Sequence, residues 1–207
     1  MLGFTLSKLN LLLLAIAASA TVAYFMVIYI DASEAQAAQQ LAQKLAQDAA
    51  SLMNSSTYCD YLEFSLPRSF SVGGKEFYYK LRISGLEAQS ETDNPKNYLI
   101  FSVIRKREGR ESIVATSSVI ASAEINVFKF IENDNTLSVE GADVEEGAIL
   151  DPQAIPRQNI VMLVKEIIDG APYIYAIPCS SESDASSCPA NKSSAAVLLE
   201  RPEGFNC

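Results

Sequence analysis

Residues 11–30 read LLLLAIAASATVAYFMVIYI, twenty positions without a charge. As a helix rising 1.5 Å per residue, such a stretch spans the roughly 30 Å hydrocarbon core of a bilayer. Tyr24 and Tyr29 stand in its second half, Tyr29 where an interfacial aromatic is expected. Lys8 is the one charge ahead of it, and Asp31 and Glu34 follow at once. The positive-inside rule then leaves the N-terminus in the cytoplasm and everything after Asp31 outside. A cleaved signal peptide is the competing reading, with small-x-small sites at Ala18-Ser19-Ala20 and Ala35-Gln36-Ala37. Cleavage at the first leaves a mature start of TVAYFMVIYI, and the second requires an apolar region longer than the usual roughly 7–15 residues. The uncleaved anchor is preferred.

Beyond the span, residues 31–54 read DASEAQAAQQLAQKLAQDAASLMN, without Gly or Pro. Ala38, Leu41, Ala42, Leu45, Ala49 and Leu52 recur at helical spacing, while Gln39, Gln43, Lys44, Gln47 and Asp48 take the other faces. Nothing between Ser7 and Met53 breaks a helix, so one helix of about 45 residues and about 70 Å is expected. Asn54-Ser55-Ser56 is its stop. The Ala/Gln half has two open readings: a spacer lying against its own sheet, or a small-residue seam packing against identical helices.

From Tyr58 the period changes to two. Phe77, Tyr79, Leu81 and Ile83 alternate with Tyr78, Lys80 and Arg82, the pattern of a half-buried strand. Gly73-Gly74 supplies a two-residue hairpin turn to the segment around Phe70 and Val72. Further strands are expected at 61–66, 98–105, 112–119, 123–130, 160–168, 173–177 and 195–199, with a second hairpin turn at Asp169-Gly170. Residues 132–158 read as a long acidic loop with at most one short strand. The fold class is therefore α+β: a long N-terminal helix followed by an antiparallel β-sandwich or barrel-like domain. The divisions are a short cytoplasmic N-terminus or leader (1–10), the span (11–30), a helical extension (31–55) and an extracytoplasmic β-rich domain (56–207).

Composition narrows the function. The 207 residues are 49% hydrophobic with a net charge of -9, and the part beyond Lys8 carries 15 basic against 25 acidic residues. Phosphate binding needs a basic surface, so nucleic acid is excluded as a partner. There is no histidine, which removes Ser-His-Asp and Cys-His catalysis and the paired-histidine zinc helix. Cys59, Cys179, Cys188 and Cys207 all follow the span, an even number suited to disulfides in an oxidising compartment. Three pairings are open, and Cys179–Cys188 with Cys59–Cys207 is favoured. The first closes a short polar loop and the second ties the C-terminal residue to the start of the β-rich domain. Asn54-Ser55-Ser56 and Asn191-Lys192-Ser193 fit the N-glycosylation pattern.

The catalytic templates fail one by one. Ser71-Val72-Gly73-Gly74-Lys75 lacks the spacing of a phosphate loop, and no Ser/Lys dyad has the context of a signal peptidase. Asp169-Gly170-Ala171 is not an aspartic-protease turn. The acidic tract around Glu140, Asp143, Glu145 and Glu146 offers oxygen ligands for calcium but lacks the EF-hand spacing, and a solvated loop is the preferred reading. No metal site, cofactor or enzyme activity is expected. The dense basic run Arg105-Lys106-Arg107-Glu108-Gly109-Arg110 falls at a hairpin tip. Arg105, Lys106, Arg107 and Arg110 there are either a solvated turn or a docking point for an acidic neighbour, such as another copy of this domain.

Gly3-Phe4-Thr5-Leu6, ahead of a long helix that is apolar in its first half and followed by a β-rich head, resembles the plan of type IV pilins and related archaeal filament subunits. The resemblance implies cleavage by a prepilin peptidase between Gly3 and Phe4. It implies helices that pack as a filament core and heads that face the environment as glycosylated cell-surface domains. Lys8 stands where many pilins carry a glutamate. The expected function is a membrane-anchored structural subunit that self-associates or meets pilus-assembly components through its helix. The alternative is a single-pass anchored β-domain that binds a surface, glycan or envelope partner without forming filaments.

Overall fold

No Gly or Pro occurs from Phe4 to Leu66, so nothing in the sequence interrupts the i→i−4 ladder of the first helix. The computed structural model describes residues 2–88, 96–107, 109–133, 136–155, 157–168 and 170–179. In it α1 runs unbroken over Leu2–Met53, 52 residues or about 78 Å. Its two halves differ in environment. Residues 8–29 are exposed throughout, whereas Ala38, Ala42 and Ala49 are fully buried, with Leu45 and Leu52 beside them. Ser19 and Thr21 donate to the carbonyls of Ala15 and Ala17, each at 2.9 Å. Those hydroxyls therefore need no partner outside the helix.

Eleven strands follow among the described residues: β1 (Cys59–Ser65), β2 (Phe70–Val72), β3 (Lys75–Phe77), β4 (Tyr79–Ala88), β5 (Lys96–Arg107), β6 (Arg110–Ala121), β7 (Glu124–Asn133), β8 (Thr136–Gly141), β9 (Ala148–Leu150), β10 (Ile160–Ile168) and β11 (Ala171–Cys179). They form a five-stranded sheet ordered β1-β10-β11-β7-β8, a four-stranded sheet ordered β6-β5-β4-β9, and the small hairpin β2–β3. All pairings are antiparallel except β11 with β7. The α+β expectation holds. The barrel-like alternative does not, because among the described residues neither larger sheet closes on itself.

Leu81 and Ile83 of β4, Leu99, Phe101 and Val103 of β5, and Val161 and Leu163 of β10 share one core with the second half of α1. The alanines of α1 thus serve close approach to the chain's own sheet, in line with the first reading of the Ala/Gln half. The helical extension at 31–55 is accordingly built into the head and is not a separate spacer.

Two expectations about strands are corrected. The strand expected through 77–83 is divided at Tyr78, since β3 pairs with β2 while β4 pairs with β5 and β9. Alternation persists across the break because both pieces bury the same face, and side-chain period does not reveal which neighbour a strand bonds. The loop expected at 132–158 holds the end of β7 and two strands, β8 and β9. β9 has three residues, too few to show a period. The strand expected at 195–199 lies outside the described residues.

Candidate functional site

The odd-numbered residues of β5 share one face of the strand. Leu99, Phe101 and Val103 on that face are fully buried, and Arg105 and Arg107 continue it toward the hairpin tip. The buried stripe of α1 changes in step. Glu34 and Asp31 lie four and seven residues before Ala38, so they extend the stripe that Ala38 and Ala42 begin. Where the sheet face turns from apolar to cationic, the helix face turns from apolar to acidic.

The result is an ionic clasp. Arg105 Nη1 lies 3.2 Å from Glu34 Oε2 and 3.3 Å from Asp31 Oδ1, and Arg107 Nη1 lies 3.3 Å from the same Asp31 oxygen. Lys106 points to the other face and pairs with Asp151 at 2.8 Å. Three of the four basic residues read as a docking point are therefore engaged within the chain. Arg110, opposite Arg107 in the β5–β6 register, is exposed. Val114 is passed over where the pairing steps from Ala115 to Ile113, a bulge that increases twist just before the arginines.

The β2–β3 hairpin closes the other side of the helix exit. Gly73 and Gly74 have φ of +57° and +78°, the left-handed pair a type I′ turn requires. Gly73 lies so near α1 that a Cβ there would sit 3.8 Å from Ile30 Cγ1. The hairpin base is fixed by stacked rings, with Phe70 4.7 Å from Tyr79 and 5.9 Å from Phe77. Tyr79 also donates to the Pro67 carbonyl at 2.7 Å, and burial raises its pKa. Tyr78 donates to Glu76 at 2.6 Å, and that bond to the carboxylate is the main cause raising its pKa. Between the two hairpins and the helix lies an open cleft of about 230 Å³, with Val27 and Ile30 on one wall and Lys75, Tyr78 and Arg107 on the other.

The other candidate residues are dispersed. Asn54 is exposed just past the end of α1, where Lys165 Nζ donates to the carbonyls of Met53, at 3.0 Å, and Ser55. A buried ammonium thus caps the orphan carbonyls and the negative end of the helix dipole, a role its place in an apolar strand did not advertise. Neither Cys59 nor Cys179 is a free thiol. Cys59 is level with Glu166 and Cys179 with Ile160, at opposite ends of β10. That puts them about 20 Å apart along the strands, against the roughly 7 Å limit for a bridge. A direct Cys59–Cys179 bond is excluded. Cys188 and Cys207, with Asn191, lie outside the described residues, and the side chains of Gly3 and Phe4 are likewise not described.

The acidic tract is a structural turn. Asp143 Oδ1 accepts from the amides of Glu145 and Glu146, at 2.9 and 3.2 Å. Arg82 donates to the carbonyls of the same two residues, at 2.8 and 2.9 Å. Among the described residues no group of three ligating side chains comes together. No protein-family model, curated protein or solved structure matches the chain significantly.

Proposed function

We propose that the chain is a membrane-anchored, extracytoplasmic structural subunit of pilin-like plan, acting through assembly and surface contact and not through catalysis. One observation carries this reading. The helix is a single rod whose apolar half, mean hydropathy 2.4 with none of its residues buried by the head, is continuous with a half sunk into the head's core. By length and composition this helix can cross a membrane. Exposing twenty apolar residues to water is costly, so that half needs lipid or neighbouring helices. The clasp also argues against cleavage after Ala37, which would discard Asp31 and Glu34. The heads would then stand outside, with Cys179–Cys188 and Cys59–Cys207 bridged and Asn54 and Asn191 open to glycosylation.

The mass of the endogenous protein, read together with electron microscopy of the cell surface, tests the proposal. A chain beginning at Phe4 and present in filaments is the expected result. An intact chain confined to the membrane fraction would instead establish the alternative, an anchored β-domain that binds a surface, glycan or envelope partner. The clasp is what favours that second reading, because it fixes the head against the exit of the span.

A further inference from the structure

The clasp sets the height of the head relative to the span. Arg105 meets Glu34 and Asp31, and Arg107, one step on, meets Asp31 alone, so β5 climbs α1 toward its N-terminus. Two further residues of strand rise add about 6–7 Å, which equals about four residues of helix. The tip of the β5–β6 hairpin is therefore level with Val27, in the last turn of the apolar span, and Val27 does line the cleft beneath it. The β2–β3 tip reaches the same level, with Gly73 against Ile30. Both tips carry cations: Arg107 is 61% exposed in its side chain, and Lys75 and Arg110 are exposed and make no ion pair with other described residues. In a chain of net charge -9, these cations surround the one place where the helix leaves the head.

We propose that the two hairpin tips flanking the helix exit bind the headgroups of anionic phospholipids. Lys75 and Arg110 would contact lipid phosphates, and the cleft wall of Val27 and Ile30 would receive the first methylenes of the acyl chain. This rests on the membrane-anchored reading above. Two features make lipid the fitting occupant. The apolar wall of the cleft is continuous with the span itself, and the cations sit where the headgroup layer begins, at the height on the helix where Tyr29 is an exposed interfacial ring. The rest of the head is acidic and would be repelled by such a membrane, so the contact also sets how the head sits on it. Arg105 and Arg107 are left out of the test because they hold the clasp.

The full chain in nanodiscs tests this, with discs of phosphatidylcholine alone compared with discs containing phosphatidylglycerol. Co-purified lipid is quantified by native mass spectrometry after release into detergent. Wild type should retain phosphatidylglycerol in preference to phosphatidylcholine. The Lys75→Gln/Arg110→Gln variant should lose that preference on the order of 25-fold, at about fivefold per cation, and high salt should weaken it. An equal preference in wild type and variant, or none in wild type, overturns the proposal. Alkaline carbonate extraction of both proteins from vesicles keeps the two readings apart. Failure of wild type to stay in the membrane would defeat the anchor, and this proposal with it. Retention of both proteins, with preference lost only in the variant, supports the headgroup site.

Discussion

Gly147 has φ +71°, and a Cβ built there would lie 2.1 Å from the Ile83 carbonyl oxygen in β4. Gly109 has nearly the same backbone, φ +78°, with nothing within 4 Å of the added atom. The pair separates conformational cost from collision. Gly109→Ala should cost only the left-handed penalty, about 1 kcal/mol. Gly147→Ala adds a clash with immovable backbone at the point where β9 joins β4, and should cost more than about 2 kcal/mol. Thermal unfolding of the detergent-solubilised chain followed by near-ultraviolet circular dichroism compares them; equal losses would mean that β9 does not press on β4 as described. The buried phenols give a second residue-scale expectation. Burial raises the pKa of Tyr79, and burial with help from Tyr173 and Glu124 raises that of Tyr175 to about 12. In the unfolded chain both ionise near 10, so between those values the folded state holds more protons. Stability is fully present below about pH 10 and falls as pH rises toward 12. Tyrosinate absorbance should therefore show late-ionising phenols whose titration coincides with loss of tertiary structure.

At the scale of elements, the magnitudes within the clasp differ. Arg105 and Glu34 are mostly buried, with side chains 24% and 16% exposed, whereas Arg107 and Asp31 are 61% and 46% exposed. Arg105→Ala should cost about 1.5–3 kcal/mol, because it leaves Glu34 without its cation in a poorly hydrated site. Arg107→Ala should stay within about 0.5 kcal/mol. A double-mutant cycle of Arg105→Ala with Glu34→Gln should return a coupling above about 0.5 kcal/mol, and a coupling indistinguishable from zero would remove the clasp as a stabilising contact. The two partners were legible in the sequence to different degrees. The helix declared itself through missing breakers and the spacing of Ala38, Leu45 and Leu52. The limits of β10 and the Gly73-Gly74 turn were equally plain, since period and turn chemistry are local. That Arg105 would meet residue 31 was not, because pairing across seventy-odd positions depends on which sheet face the helix covers. The basic run accordingly reads as a solvated turn or a docking point for an acidic neighbour. A signal did exist: Asp31 and Glu34 interrupt an otherwise apolar stripe at helical spacing, which marks acidic groups in need of a cationic partner.

For the whole molecule, the decisive matter is where the fold begins. The division by hydropathy puts a boundary near residue 55, between helix and β-rich domain, but the core does not respect it. Ala38, Ala42, Leu45, Ala49 and Leu52 are buried with both larger sheets, so the folded head extends up the helix at least to Ala38 and, through the clasp, to Asp31. Residues 8–29 are exposed and add nothing to that core. Two truncations follow from that division. Removing residues 1–29 takes away no residue of the described core and should yield a water-soluble head that melts cooperatively near the full chain's midpoint. Removing residues 1–45 also strips Ala38, Ala42 and Leu45 and opens the face of β5 and β6 beneath them. One buried leucine alone is worth about 2–5 kcal/mol, and the exposed strand surface adds to the loss. Against a total stability of about 5–15 kcal/mol, the shorter chain should be largely unfolded or aggregated at ambient temperature. Circular dichroism and size-exclusion chromatography of the two proteins decide it. If the chain starting at residue 46 were monomeric and as stable as the one starting at residue 30, the helix would be an appendage of the head, and the continuity between anchor and core on which the proposed function rests would be lost.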